Sequence, residues 1–131
     1  MLLSLLAQAA IASASTLLAT APVSSPFAGT WSGSFTVGGG NGGVTTITIA
    51  GNGHVTGTYT NLTFGISGTI LGEVRNNGSF RLNGFRDDLP QGVDITCGEF
   101  EIAGNHLVTS SWGVAESGCN NAGWSQDLER Q

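Results

Sequence analysis

The chain has 131 residues, which is enough for one domain with a hydrophobic core, and it carries a formal net charge of −5. It contains no lysine, and its four basic residues are all arginines. Nucleic acid and anionic membrane surfaces require clustered cations, so the composition argues against both as partners. The absence of lysine excludes Schiff-base catalysis.

The N-terminal segment, residues 1–21, is an apolar run rich in alanine, serine and leucine, with Ala-x-Ala sites at 12–14 and 19–21. This pattern predicts an export signal, and the alternative is a membrane-anchor helix, because the run is about long enough to span a bilayer. Residues 22–28 are predicted to be a linker, and residues 29–131 a single domain. We therefore expect a secreted or periplasmic protein whose mature form has no contact with a membrane.

From residue 29 onwards, polar and apolar residues alternate with a period of two, which is typical of β-strands. Asn52-Gly53 and Asn77-Gly78 indicate tight hairpins. The predicted strands are 29–37, 44–50, 54–60, 62–74, 79–86, 93–103, 106–114 and 122–128. Short links without a helical period predict an all-β antiparallel meander, which closes into an eight-stranded up-and-down barrel. A two-sheet sandwich is the alternative.

Three further features follow from the alternation and from the cysteine count. Trp31 is predicted to plug the closed end of the barrel. In the sixth strand the apolar parity changes between Ile95 and Phe100, which predicts a β-bulge at Gly98. Cys97 and Cys119 are predicted to form one disulfide, as expected for an exported chain, with two buried thiols as the alternative.

The residues that could carry out catalysis or bind a metal do not form a recognisable motif. His54 and His106 lie at hairpin starts and lack a third metal ligand. Asp87, Asp88 and Asp94 lie along one loop without the spacing of an EF-hand. The serines have no nucleophile elbow. We therefore expect no enzymatic activity, no metal and no cofactor.

Three motifs resemble the avidin/streptavidin family. They are Gly29-Thr30-Trp31, the run 52–59 that ends in Thr-Gly-Thr-Tyr, and the spacing from Gly98 to Trp124 in the last three strands. The resemblance implies an eight-stranded up-and-down barrel that is often tetrameric and binds biotin at one mouth. It therefore implies a small-molecule ligand and a homo-oligomer.

The resemblance also assigns individual residues to the pocket. Tyr59 falls on the tyrosine that donates to the ureido oxygen of biotin, and Asn61 on a serine that touches the ligand. Phe85 is expected in place of one pocket tryptophan. Trp112 matches another tryptophan of the biotin pocket. Trp124 matches the tryptophan that a neighbouring subunit contributes to the pocket across the interface.

The polar part of this pocket is mostly absent from the sequence. Gly33 and Val37 fall where polar donors are expected, Thr96 replaces a tryptophan, and Asp94 replaces a threonine or serine. The aspartate that binds the ureido group would fall beyond Gln131. We therefore expect a non-enzymatic barrel that binds a small, mostly apolar or aromatic ligand at its mouth. The alternatives are a protein-binding module, such as a protease inhibitor, and a structural cell-surface subunit.

Overall fold

The computed structural model describes residues 24–89 and 91–131, so the predicted export signal lies outside the described residues. Eight strands follow one another as antiparallel neighbours, and the last pairs with the first, which closes the barrel and confirms the predicted topology. The strands are β1 (Gly29–Thr36), β2 (Gly42–Ile49), β3 (His54–Asn61), β4 (Ile66–Val74), β5 (Ser79–Arg86), β6 (Val93–Ala103), β7 (His106–Val114) and β8 (Ser125–Arg130). Among the described residues, no helix is long and apolar enough to cross a membrane.

Because successive strands run in opposite directions, the connecting segments fall at two ends of the barrel. Those that follow odd-numbered strands form the open end: 37–41, 62–65, the described residues 87–89 and 91–92, and 115–124. Those that follow even-numbered strands form the closed end: 50–53, 75–78 and 104–105.

The closed end is filled by aromatic side chains. Trp31 is 0% exposed, its Nε1 donates to the carbonyl of Phe27 at 2.9 Å, and the guanidinium of Arg130 lies 4.1 Å from the centroid of its ring. The rings of Phe80 and Phe100 stack with their centroids 4.1 Å apart. These contacts put the Trp31 side chain at the closed end, as the sequence predicts.

The residues just before β1, predicted as a linker, pack against the barrel from Ser25 onwards. The side chain of Phe27 belongs to the core. The Ser25 amide donates to the carbonyl of Gly51 at 2.7 Å, and the Ala28 amide donates to the carbonyl of Ser25 at 3.1 Å. The first bond ties the chain before β1 to the loop between β2 and β3, and the second closes a turn within the segment itself.

The fourth strand is shorter than its alternation predicts. Leu62 and Phe64 continue the apolar alternation in the sequence, yet they are 65% and 64% exposed and lie in the loop before β4. The reason is local, because Oδ1 of Asn61 accepts the backbone N–H groups of Thr63 and Phe64 at 3.0 and 3.2 Å. A side-chain acceptor of this kind turns the backbone away from the sheet.

The prediction of a β-bulge at Gly98 is wrong in its position. Gly98 and Phe100 are both buried, so β6 keeps one inward phase. The register with β7 shifts between Glu99 and Phe100, and the pairing skips Ser110 in β7. The apolar pattern of β6 gave the wrong phase because Val93 and Ile95 are apolar and yet lie on its outward face, where they are 47% and 36% exposed.

Candidate functional site

A cavity of about 670 Å³ lies at the open end of the barrel. Its wall consists mainly of inward-facing residues near the open ends of the strands and of parts of the open-end loops. Three residues on the outward phase of β5 and β6, Arg81, Val93 and Ile95, also contribute to the lining. The large side chains of the core are concentrated at the other end. The barrel is therefore filled at one end and hollow at the other.

Four aromatic side chains line the cavity and meet edge to face. The centroids of Phe35 and Tyr59 are 6.4 Å apart at 78°, and those of Phe35 and Trp112 are 6.2 Å apart at 86°. Trp112 and Trp124 are 5.2 Å apart at 70°. Edge-to-face pairs of this kind are favourable beyond the area they bury, so the rings hold one another in place.

Tyr59 lies across the inner face of the neighbouring strands because two glycines leave room for it. A Cβ atom at Gly68 would lie 2.6 Å from Cε1 of the ring, so β4 has to carry glycine there. A Cβ at Gly84 in β5 would lie 3.6 Å from the same atom, which is ordinary contact. Burial, with a smaller contribution from the Asp94 carboxylate, raises the pKa of Tyr59. Its hydroxyl is therefore protonated at neutral pH and able to donate.

The segment 115–124 brings Trp124 to the cavity, and a disulfide anchors it. Cys119 is bonded to Cys97 of β6 with an S–S distance of 2.01 Å, which confirms the predicted disulfide. Asn121 adds two bonds to β7, donating from its amide to the carbonyl of Trp112 at 2.9 Å and accepting the Val114 amide at 3.0 Å. Trp124 thus contacts Trp112 within its own barrel, whereas the resemblance places that residue across a subunit interface.

The structure brings together most of the predicted site residues. Those that line the cavity are Tyr59, Asn61, Trp112 and Trp124. Phe85 is not among the lining residues. Phe80 and Leu82 of β5 are buried, so the alternation turns Gly84 inward and Phe85 outward. We therefore leave Phe85 out of the candidate site.

Asn61 lines the cavity, but its polar atoms mainly hold the loops of the open end. Its Nδ2 donates to Oδ1 of Asn41 at 2.9 Å. Its Oδ1 accepts the two backbone N–H groups of the turn before β4. The side chain therefore joins two loops of the mouth, and little of its hydrogen-bonding capacity is left for a ligand.

Two polar residues of the cavity wall, Thr45 and Gln126, were not singled out from the sequence. Both are 5% exposed. Oγ1 of Thr45 donates to the carbonyl of Thr58 at 2.8 Å, and the backbone N–H of Gln126 donates to Oγ1 of Thr109 at 3.0 Å. The signal was available, since Gln126 shares the inward phase of β8 with Leu128.

Charges at the cavity are predominantly acidic. Asp94 and Glu116 line it, with Arg81 as the cation in the lining. Arg86 forms two hydrogen bonds to the carboxylate of Asp88, at 2.9 and 2.7 Å, which raise the pKa of Arg86 and lower that of Asp88. Within residues 24–89 and 91–131, no group of three or more His, Cys, Asp or Glu side chains could hold a metal ion.

Comparison of the chain with protein-family models, with curated proteins and with solved structures gives no match. The resemblance to the avidin/streptavidin family therefore rests on the sequence motifs alone and remains a hypothesis.

Proposed function

We propose that this protein is a secreted, non-enzymatic β-barrel that binds a small, mostly apolar or aromatic ligand in the cavity at its open end. The observation that carries the proposal is a cavity of about 670 Å³ lined by Phe35, Tyr59, Trp112 and Trp124. Its volume lies within the roughly 300–1,000 Å³ typical of small-molecule sites. Aromatic walls with a few polar groups are also typical of such sites.

Export is the part of the proposal that rests on the disulfide. Disulfides persist in oxidising compartments and are rare in the reducing cytosol. The bond between Cys97 and Cys119 therefore supports a secreted or periplasmic location. It also fits the export signal that the sequence predicts.

The direct test is titration with a neutral, apolar fluorescent probe, N-phenyl-1-naphthylamine, followed by its emission. We expect saturable binding at one site per barrel. Gly84→Leu should block it, because a branched side chain at this inward position enters the cavity. Gly84→Ala is the matched control, since a Cβ there makes only ordinary contacts of 3.6 Å or more. Equal binding by the two variants would contradict the proposal.

A protein-binding module is the second candidate, because apolar side chains are exposed on the open-end loops. Leu62 and Phe64 are more than half exposed, and Leu89 is 49% exposed. Exposed apolar residues grouped together are typical of interaction surfaces. Replacing Leu62 and Phe64 with serine should leave probe affinity unchanged if the function is small-ligand binding. The same double variant should lose a function that depends on a protein partner.

A further inference from the structure

We infer that the ligand of this cavity is a neutral molecule whose apolar or aromatic body carries a hydrogen-bond acceptor oxygen of the carbonyl type. The inference rests on the proposed function and narrows the class of ligand. It starts from two buried N–H groups in the cavity wall, those of Trp112 and Gln126.

Both groups lack a hydrogen-bond partner among the described residues. Trp112 Nε1 and Gln126 Nε2 have almost no solvent contact, and their side chains are 8% and 5% exposed. Buried polar atoms in proteins are nearly always paired, because a buried donor without a partner loses its bonds to water and gains nothing in return. Two such donors in one wall therefore indicate that the partner comes from outside the barrel.

The two donors flank the same ring of the cavity wall. Gln126 lies directly across from Phe35 in the pairing of β8 with β1, and the Trp112 ring lies 6.2 Å from the Phe35 ring. A third buried atom without a partner, Oδ1 of Asn83, lies outside the cavity lining. The two donors that lack partners thus belong to residues on either side of one ring of the cavity wall.

The chemistry of the donors defines what the ligand must offer. An indole N–H donates and cannot accept, so the partner of Trp112 has to be an acceptor. Gln126 lines the cavity, but its Nε2 has almost no accessible surface, so an entering oxygen meets it only after the side chain rotates. The terminal torsion of a glutamine side chain is soft, so a small rotation brings this amide to an entering oxygen.

The charges of the cavity favour a neutral acceptor over a carboxylate. Asp94 and Glu116 line the cavity and would repel an anion. Arg81 also contributes to the lining, but it lies on the outward phase of β5, between the buried Phe80 and Leu82, and is exposed. A ketone, ester or amide oxygen satisfies the two donors without meeting this repulsion.

The experiment compares two probes of nearly the same shape by isothermal titration calorimetry. They are 2-acetylnaphthalene, which has a ketone oxygen, and 2-isopropenylnaphthalene, which has a CH₂ group in its place. We expect the ketone to bind about three- to tenfold more tightly. We expect 2-naphthoate, which has the same ring and an anionic acceptor, to bind more weakly than the ketone. Equal or tighter binding of the alkene overturns the inference and leaves the proposed function standing, whereas binding of neither probe overturns both.

Two variants test whether the side-chain N–H groups of Trp112 and Gln126 bind the ketone oxygen of the probe. Gln126→Leu and Trp112→Phe each remove one N–H group while keeping an apolar side chain, so each should reduce the preference for the ketone over the alkene. Gln131→Leu is the matched control, because it also removes a side-chain amide, and that amide is exposed at the closed end, where its Nε2 donates to the Glu129 carbonyl at 2.9 Å. Thermal unfolding checks that each variant is folded. A full preference retained in both test variants overturns the assignment.

Discussion

Removing the disulfide should destabilise the barrel and release the segment 115–124 from the cavity. Cys97 and Cys119 are separated by 22 residues in the sequence. The chain-entropy relation for a loop of that length gives about 3.4 kcal/mol at 25 °C. For a domain of about 100 residues this corresponds to a fall in the melting temperature of roughly 14–27 °C. We expect this loss for the Cys97→Ser/Cys119→Ser double variant.

The assay is urea unfolding of the double variant and of the oxidised protein, followed by circular dichroism. Because Trp124 lies on the tethered segment, its fluorescence should also become more accessible to acrylamide, and probe affinity should fall. The Cys97→Ala/Cys119→Ala variant controls for the two new hydroxyl groups and should lose a similar free energy of unfolding. A loss below about 1 kcal/mol in both variants, with unchanged probe binding, would refute the reasoning.

Three further predictions concern the closed end, the seam between β7 and β8, and biotin. Trp31→Ala should reduce the free energy of unfolding by about 3–5 kcal/mol, because it empties a fully buried aromatic site. Thr48→Ala on the outer face should change it by less than about 0.5 kcal/mol, and equal losses for the two variants in chemical denaturation would contradict the prediction. Oδ1 of Asp127 lies 2.7 Å from Nδ1 of His106, and this hydrogen bond raises the pKa of His106. The pair therefore stabilises the fold fully below about pH 6.5, the ordinary pKa of histidine, and this contribution is lost as pH rises through the raised pKa of His106. The melting temperature of the protein relative to His106→Gln should fall across that rise, and a constant difference would argue against the ion pair. Biotin should bind more weakly than nanomolar. Tyr59 is the one polar contact of the expected biotin site that is clearly retained, and each lost hydrogen bond removes about 1–3 kcal/mol of binding free energy. Stoichiometric quenching of tryptophan fluorescence by biotin at nanomolar protein would disprove this.

The sequence alone was sufficient for the number and order of the strands. Alternation with a period of two and the two Asn-Gly turns are local signals, read over a few residues at a time. They located all eight strands to within four residues at each end. The same alternation would have placed Phe85 outward, since Phe80 and Leu82 face inward. The error came from following the resemblance at that position instead of the phase of the strand.

Other features depend on contacts between distant parts of the chain. The extra residue of the bulge lies in β7 and not in β6, because the register is set by the pairing of both strands and not by the apolar pattern of one. The residues preceding β1 pack because the closed end offers Phe27 a buried site. Neither feature has a local signal in its own segment.

The sequence therefore determined which residues form strands and which of them alternate inward, because both depend on the chemistry of near neighbours. Only the tertiary structure decided that the aromatic side chains surround a cavity. The same rings would form a packed core if the barrel were narrower. It also left the side-chain N–H groups of Trp112 and Gln126 buried without partners among the described residues, because burial and pairing depend on how all eight strands close around them.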